Sequence, residues 1–514
     1  MKIFGKGVLL LQIMLFFSFS GYAQSYSETA LLFSRTTPNL SGRFSALGGA
    51  GVSLGGDLSS AFLNPAGLGM YNKGEASASL GISNNQLTST YFGSSLNSGK
   101  TGVNIPFFGI NFFTEKDGDP VISGSFAVTY NRVNDFNRTM SYQGRNTTSS
   151  IIDYFLDDAY DSNGIPIDPR DLNIPTNLAF ETYLIDTVRV NNQPDYFSAL
   201  GLLPDPADFR NVNQRERIET TGGENQWNFS YGINISDKYF IGGGLGLRNV
   251  RYQNKKSYSE FDFEYLDAAY QPINGFTLEE NLTITGSGYN FVLGGIARPV
   301  DGLQVGFAYE SPTWYELSDV YSAKLNADWN NFDYYLDGQT ILNNISASLS
   351  EDIVTEYKLK TPGKISGGVS YFIGKRGFIT ADVESTNFGK SVYTSKTQGV
   401  GFDSDNSSIR SLYTKTLTYK VGTEIRSGNL RFRAGGSYRP DPYITKQNEI
   451  SRSLTTITGG IGYRKTKYNL DIALTYGSGN QSYRPYRIPS SESPLVKSKL
   501  TNLFFQVSAS IPLQ

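Results

Sequence analysis

Residues 227–235 read Trp-Asn-Phe-Ser-Tyr-Gly-Ile-Asn-Ile, so Trp227, Phe229, Tyr231, Ile233 and Ile235 alternate without a break with Asn228, Ser230, Gly232 and Asn234. A β-strand sends successive side chains to opposite faces, which gives this stretch one apolar face and one polar or small face. The same period returns at Tyr468, Leu470, Ile472, Leu474 and Tyr476, and again at Leu503, Phe505, Val507, Ala509 and Ile511. Alternation alone also suits a soluble β-sandwich whose polar face meets water. Two further features separate the cases.

Tyrosines recur at strand ends on the apolar face, at Tyr231, Tyr239, Tyr371, Tyr413, Tyr438, Tyr463 and Tyr476. Membrane barrels carry such aromatic girdles at both interfaces. The connections also alternate between short and long. Ser236-Asp237-Lys238, 298–302, 374–377, Ser427-Gly428-Asn429 and Lys465-Thr466 are tight turns, whereas 254–279, 326–352 and 391–410 are long polar stretches. Short periplasmic turns and long external loops produce this rhythm. The pattern predicts strands over 75–83, 102–113, 121–133, 223–235, 239–252, 281–297, 303–325, 353–373, 378–388, 411–425, 430–444, 452–463, 468–478 and 498–512. The count is about fourteen, an even number, as a barrel with both chain ends on one side requires. Residues 88–96 could form another strand, but an odd count would break that parity. The expected fold is an all-β, 14-stranded antiparallel transmembrane barrel over 75–514, with a long extracellular loop at 134–222.

The composition agrees. Among 514 residues are 54 Gly, 34 Tyr and 33 Phe, with no Cys and no His. The formal net charge of -2 gives no global attraction for nucleic acid, and none is expected as a partner. Without His or Cys the usual zinc, haem and catalytic-triad arrangements are closed, and no cofactor, metal or catalytic residue is expected. Gly99-Lys100-Thr101 lacks phosphate-loop spacing, and Leu54 stands where a dinucleotide motif needs its third glycine. At the N-terminus Lys2 and Lys6 precede a short apolar run, and Gly21-Tyr22-Ala23 supplies a peptidase site, so 1–23 reads as a cleaved signal peptide.

Residues 24–74 do not alternate. They hold the run Ser41 to Val52 with Gly48 and Gly49, then Gly56-Asp57-Leu58-Ser59-Ser60-Ala61, then Asn64-Pro65-Ala66-Gly67. On these residues the chain resembles the FadL/TodX family of outer-membrane transporters for hydrophobic compounds. Its signal and N-terminal segment are similar to those of members from the Bacteroidetes. Further similar stretches are 307–312, 361–365 and 381–384. The resemblance implies that 24–74 is a hatch inside a fourteen-stranded barrel, with Gly48, Gly49, Asp57, Asn64, Pro65, Ala66 and Gly67 as its motif. It also implies passive uptake of compounds such as long-chain fatty acids, through external capture, hatch movement and lateral exit. The chain departs from the family pattern in ending Ile511-Pro512-Leu513-Gln514 rather than on an aromatic residue.

Candidate contacts for a ligand come from two places. Ile151 and Phe155 share a face of an amphipathic segment at 149–160, and Leu200 and Leu202 follow a second possible helix at 177–185. They form either a small core within the long loop or an apolar capture site. By alternation Asp382, Glu384, Lys420, Glu424, Arg431, Arg433, Arg439 and Asp471 face the lumen. Either these balance one another, or Arg248, Arg431 or Arg433 meets an anionic headgroup. Pro106 lies within the second strand and Pro362 within the eighth; proline cannot donate to a ladder, so each marks either a mere bulge near a strand end or, as the resemblance implies, a lateral exit, for which Pro106 is the candidate gate. The expected partners are the outer-membrane bilayer, a hydrophobic small-molecule ligand and the barrel-assembly machinery, with the chain a monomer. The alternatives are a non-transporting barrel serving a secretion system through its external loops, and a polar general porin.

Overall fold

The computed structural model describes residues 25–116, 120–202, 209–265, 271–396, 401–488 and 493–513. The expected signal peptide lies outside the described residues. Fourteen staves, each antiparallel to both neighbours, close into one barrel. They are β1 (Gly74–Tyr91), β2 (Ser94–Asn104 with Phe107–Glu115), β3 (Val121–Asp135 with Arg138–Asn146), β4 (Phe209–Ile235) and β5 (Tyr239–Tyr265). Next come β6 (Ile273–Val300), β7 (Leu303–Glu310 with Trp314–Asp333), β8 (Ile341–Ser348, Ile353–Lys360 and Lys364–Phe372) and β9 (Gly377–Asn387 with Val392–Ser395). The last are β10 (Lys415–Ser427), β11 (Leu430–Arg439), β12 (Leu454–Arg464), β13 (Asn469–Tyr483) and β14 (Val496–Leu513). β14 pairs back onto β1, from Gly74 opposite Leu513 to Thr90 opposite Lys497.

The apolar face of each stave points out. In β4 Trp227, Phe229 and Tyr231 are exposed while Asn228 and Ser230 are buried in the lumen. In β5 the outward apolar series Tyr239, Ile241 and Leu247 gives way to outward Asn249, Arg251 and Lys255. The apolar band therefore ends near Leu247. Leu430, Phe432 and Tyr438 bound it across nine residues of β11, about the length a tilted strand needs to cross a bilayer.

Three expectations change. The hairpin β1–β2 runs unbroken to its turn at Phe92-Gly93, so 88–96 is neither an extra strand nor a loop. The polar stretches 254–279 and 326–352 are largely strand, because staves beyond the apolar band keep pairing and form tall hairpins above it. Tyr413 is buried inside the barrel, where its hydroxyl donates to the Ser27 carbonyl at 3.1 Å, and does not belong to the outer girdle.

Above the long-connection end, 147–202 forms a cap. It contains helices Ile151–Asp158 and Thr176–Glu181 and a hairpin of Ile185–Val190 with Gln193–Ser198. Ser150 opens the first of these helices as a capping box, its side chain meeting Ile152 N while Asp153 Oδ2 accepts from Ser150 N at 2.8 Å. Trp329 Nε1 donates to Thr182 O at 3.1 Å, joining the cap to β7.

Candidate functional site

Residues 25–73 lie against the inward faces of the staves. Ser25 caps the short helix α1 (Tyr26–Ser34), accepting from Glu28 N at 3.4 Å. At the other end Arg35 Nη2 donates to Arg452 O at 2.8 Å. Between these ties α1 fills an aromatic chamber. The Tyr26 ring meets Phe402, Tyr357 and Tyr393 edge-on, with centroids 4.9, 5.3 and 5.4 Å away. Phe33 is fully buried beside Phe136 and Tyr315. Aromatic rings from β3, β5, β7, β8 and β9 thus converge on one small helix. Such a lining offers large apolar area and few hydrogen bonds to a ligand.

Below the chamber the wall is polar and holds the backbone of the N-terminal segment. Asp382 Oδ2 accepts from Gly51 N at 2.7 Å and Val52 N at 3.0 Å. Gln506 Nε2 donates to Leu40 O at 2.7 Å, Thr458 Oγ1 to Ala46 O at 2.9 Å, and Ser230 Oγ to Ala61 O at 2.8 Å. A segment with little regular structure has backbone groups that need partners, and lumen side chains supply them.

The motif residues explain the closeness of this contact. Asp57 accepts from Ser41 Oγ at 2.8 Å and Ser59 N at 2.9 Å, knitting two turns together. Asn64 Oδ1 accepts from Ala66 N at 3.1 Å, while its Nδ2 donates to Val52 O at 2.6 Å and Phe307 O at 3.2 Å. It thereby ties the turn Pro65–Met70 both to its own segment and to β7. Pro65, Ala66 and Gly67 are buried in that turn. A Cβ on Gly242 would sit 2.4 Å from Pro65 C, so wall and segment meet backbone to backbone. Gly48 has φ +69, and a Cβ there would strike Gly436 N at 2.5 Å; Gly49, at φ +77, follows it in the same turn.

The lumen charges form closed networks. Arg248 pairs with Glu224 and Glu310, each at 2.8 Å, and is buried. Lys420 pairs with Glu384 at 2.9 Å. Arg433 meets Glu424 at 2.8 Å and Asp471 at 2.6 Å. Of the candidate headgroup ligands, Arg248 and Arg433 thus already have two carboxylates each. Among the described residues Arg431 donates only to the Gly428 and Leu430 carbonyls, at 2.7 and 2.8 Å. Ile151, Phe155 and Leu200 are buried in one closed core with Trp329 and Tyr334 rather than lining an open groove, because the cap covers them. The side chain of Leu202 lies outside the described residues.

At Pro106 the wall changes. Gly81 faces Asn104 whereas Ala78 faces Phe108, so Ser79 and Leu80 oppose three residues, 105–107, and β2 bulges. The β2–β3 ladder ends at Phe107 opposite Asn131, followed by Arg132 N donating to Pro106 O at 2.9 Å. Beyond it, among the described residues, no ladder joins 94–104 to 138–146. Side chains bridge the seam instead: Asn104 Nδ2 donates to Asp135 Oδ2 at 3.1 Å and Ser98 Oγ to Thr139 O at 2.8 Å. Val103 and Ile105, on the outer side, are 75% and 52% exposed, which places the start of the seam within the apolar band. At the other prolines, Thr361 N donates to Thr313 O at 3.0 Å and keeps the breaks of β7 and β8 joined.

No family model and no curated protein matches the sequence. Among solved structures, a Pseudomonas aeruginosa FadL homologue aligns over 93% of this chain and 99% of its own, with TM-score 0.53 and 14% identity. This chain has the fold of that FadL homologue. The Pseudomonas putida toluene transporter TodX aligns over 91% of this chain and 96% of its own, with TM-score 0.48 and 13% identity. The Ralstonia pickettii toluene transporter TbuX aligns over 91% and 97%, with TM-score 0.47 and 14% identity. In the FadL fold of this chain the aromatic chamber and the β2–β3 seam lie on neighbouring parts of the wall: Phe136, at the break within β3, belongs to the chamber. The chamber is not legible in the sequence because Tyr252, Tyr315, Tyr357, Tyr393 and Tyr443 are scattered over nearly 200 residues; the one signal is tyrosine on the lumen side of the alternation.

Proposed function

We propose that this protein is a passive outer-membrane channel for hydrophobic compounds, with 25–73 as a plug. The observation that carries the reading is the aromatic chamber filled by α1. An apolar solute would replace the ring contacts of Tyr26 and Phe33 with its own and leave the buried ion pairs untouched. Displacement of α1 exchanges one apolar occupant for another, so the movement needs no energy source. Burying a chain of several methylenes is worth about 0.8 kcal/mol for each, enough to offset lost helix contacts when the solute is long. Long-chain fatty acids and monoaromatic hydrocarbons are both solutes of the right kind. The seam at Pro106 is the proposed exit into the bilayer, since side-chain bridges part more readily than a backbone ladder. In this orientation the short turns face the periplasm and the cap faces outward. The test is uptake of a radiolabelled fatty acid and of toluene by cells with and without the protein; equal uptake of both contradicts the reading.

A further inference from the structure

At the short-turn end, away from the aromatic chamber, a cavity of 320 Å³ lies between the N-terminal segment and the wall. Five arginines line it: Arg43 from the segment and Arg426, Arg431, Arg433 and Arg464 from the wall. Four carboxylates share the lining, one fewer than the arginines, and two of them are bound by neutral donors. Asp57 accepts from Ser41 and Ser59, and Glu75 from the Tyr71 hydroxyl at 3.1 Å. Glu424 alone is shared by Arg43 at 3.7 Å, Arg426 at 2.8 Å and Arg433 at 2.8 Å. Asp471 is shared by Arg433 at 2.6 Å and Arg464 at 2.9 Å. Arg431 has no carboxylate partner among the described residues. Arg433, wholly buried, has its Nη2 without any hydrogen-bond partner.

We propose that this cavity is a binding site for a small oxyanion of the phosphate or carboxylate class. The guanidinium excess, with unused N–H groups on Arg426 and Arg431, is the arrangement that forks onto phosphate or carboxylate oxygens. An anion there bridges Arg43 to the wall, holding the N-terminal segment in place. Binding does not depend on the apolar cargo proposed above; only the assignment of this end to the periplasm does.

The test is calorimetric titration of the full-length barrel in a neutral detergent at low salt, with inorganic phosphate in one arm and citrate in the other. Saturable binding of either anion is expected, and the arm that binds identifies phosphate or polycarboxylate as the class. Arg431→Gln breaks no ion pair, so it should leave the barrel folded and weaken binding roughly tenfold, and adding Arg426→Gln should weaken it further. Heat-dependent gel mobility checks the folding of each variant. Absence of binding in both arms, or equal affinity in wild type and the double variant, overturns the proposal.

Discussion

Asn64 concentrates several contacts in one side chain, joining the turn that follows it, the loop before it and β7. Asn64→Ala strands the Val52 carbonyl and should cost about 1–3 kcal/mol of local stability, read as faster proteolysis at 55–70 with the barrel's heat-dependent gel mobility unchanged. Gly242→Leu acts from the other side, forcing a side chain into the Pro65 backbone. It should lift the turn and raise ion conductance in planar bilayers; wild-type conductance would show that the close contact does not seal the lumen. Arg433→Ala removes the buried cation shared by Glu424 and Asp471 and should destabilise the barrel by about 3–5 kcal/mol. At this scale the sequence was legible in part. Asn64-Pro65 announced a turn, and alternation put Arg433 and Asp382 in the lumen. It could not show that Asp382 holds Gly51 and Val52, because that contact joins residues over 300 positions apart.

Among the elements, α1 and the β2–β3 seam carry the proposed transport. Deleting 26–34 should empty the chamber and increase capture of an apolar fluorescent probe by roughly tenfold or more, since the probe no longer competes with the helix. The absence of cysteine allows a clean test of the seam. Asn104→Cys with Asp135→Cys, oxidised, should stop delivery to the bilayer while probe capture persists; delivery through the cross-linked seam would place the exit elsewhere. The cap gives a pH prediction. Burial pushes the Asp153 and Asp158 carboxyls above their ordinary value, against the hydrogen bonds from Ser150 and from Thr176 that lower them. Groups raised by folding favour the cap below their ordinary value and lose that contribution as pH rises through the raised one. Cap melting, followed by Trp329 fluorescence, should therefore occur at lower temperature at pH 7.5 than at pH 4.5, with the difference reduced in Asp153→Asn. Strands inside the apolar band were legible because lipid on one side and the lumen on the other enforce period two. Their extensions above it were not, since a paired strand with water on its outer face reads like a polar loop.

For the whole molecule, parity and the closing pair β14–β1 make the barrel self-consistent: every stave within the band has two neighbours, except where β2 parts from β3. Closure was legible from strand count alone. The filling of the lumen was legible only as a stretch that failed to alternate, and the division into an aromatic chamber above and an arginine cavity below needed the three-dimensional arrangement. The most direct measurement of the central claim is solvent extraction and mass spectrometry of the purified barrel, in parallel with the variant lacking 26–34, after exposure of both to a mixture of fatty acids, hydrocarbons and sugars. Apolar molecules should be retained at near-stoichiometric level, more in the truncated variant, with no sugar. Retention of sugars, or of nothing by either protein, would contradict it.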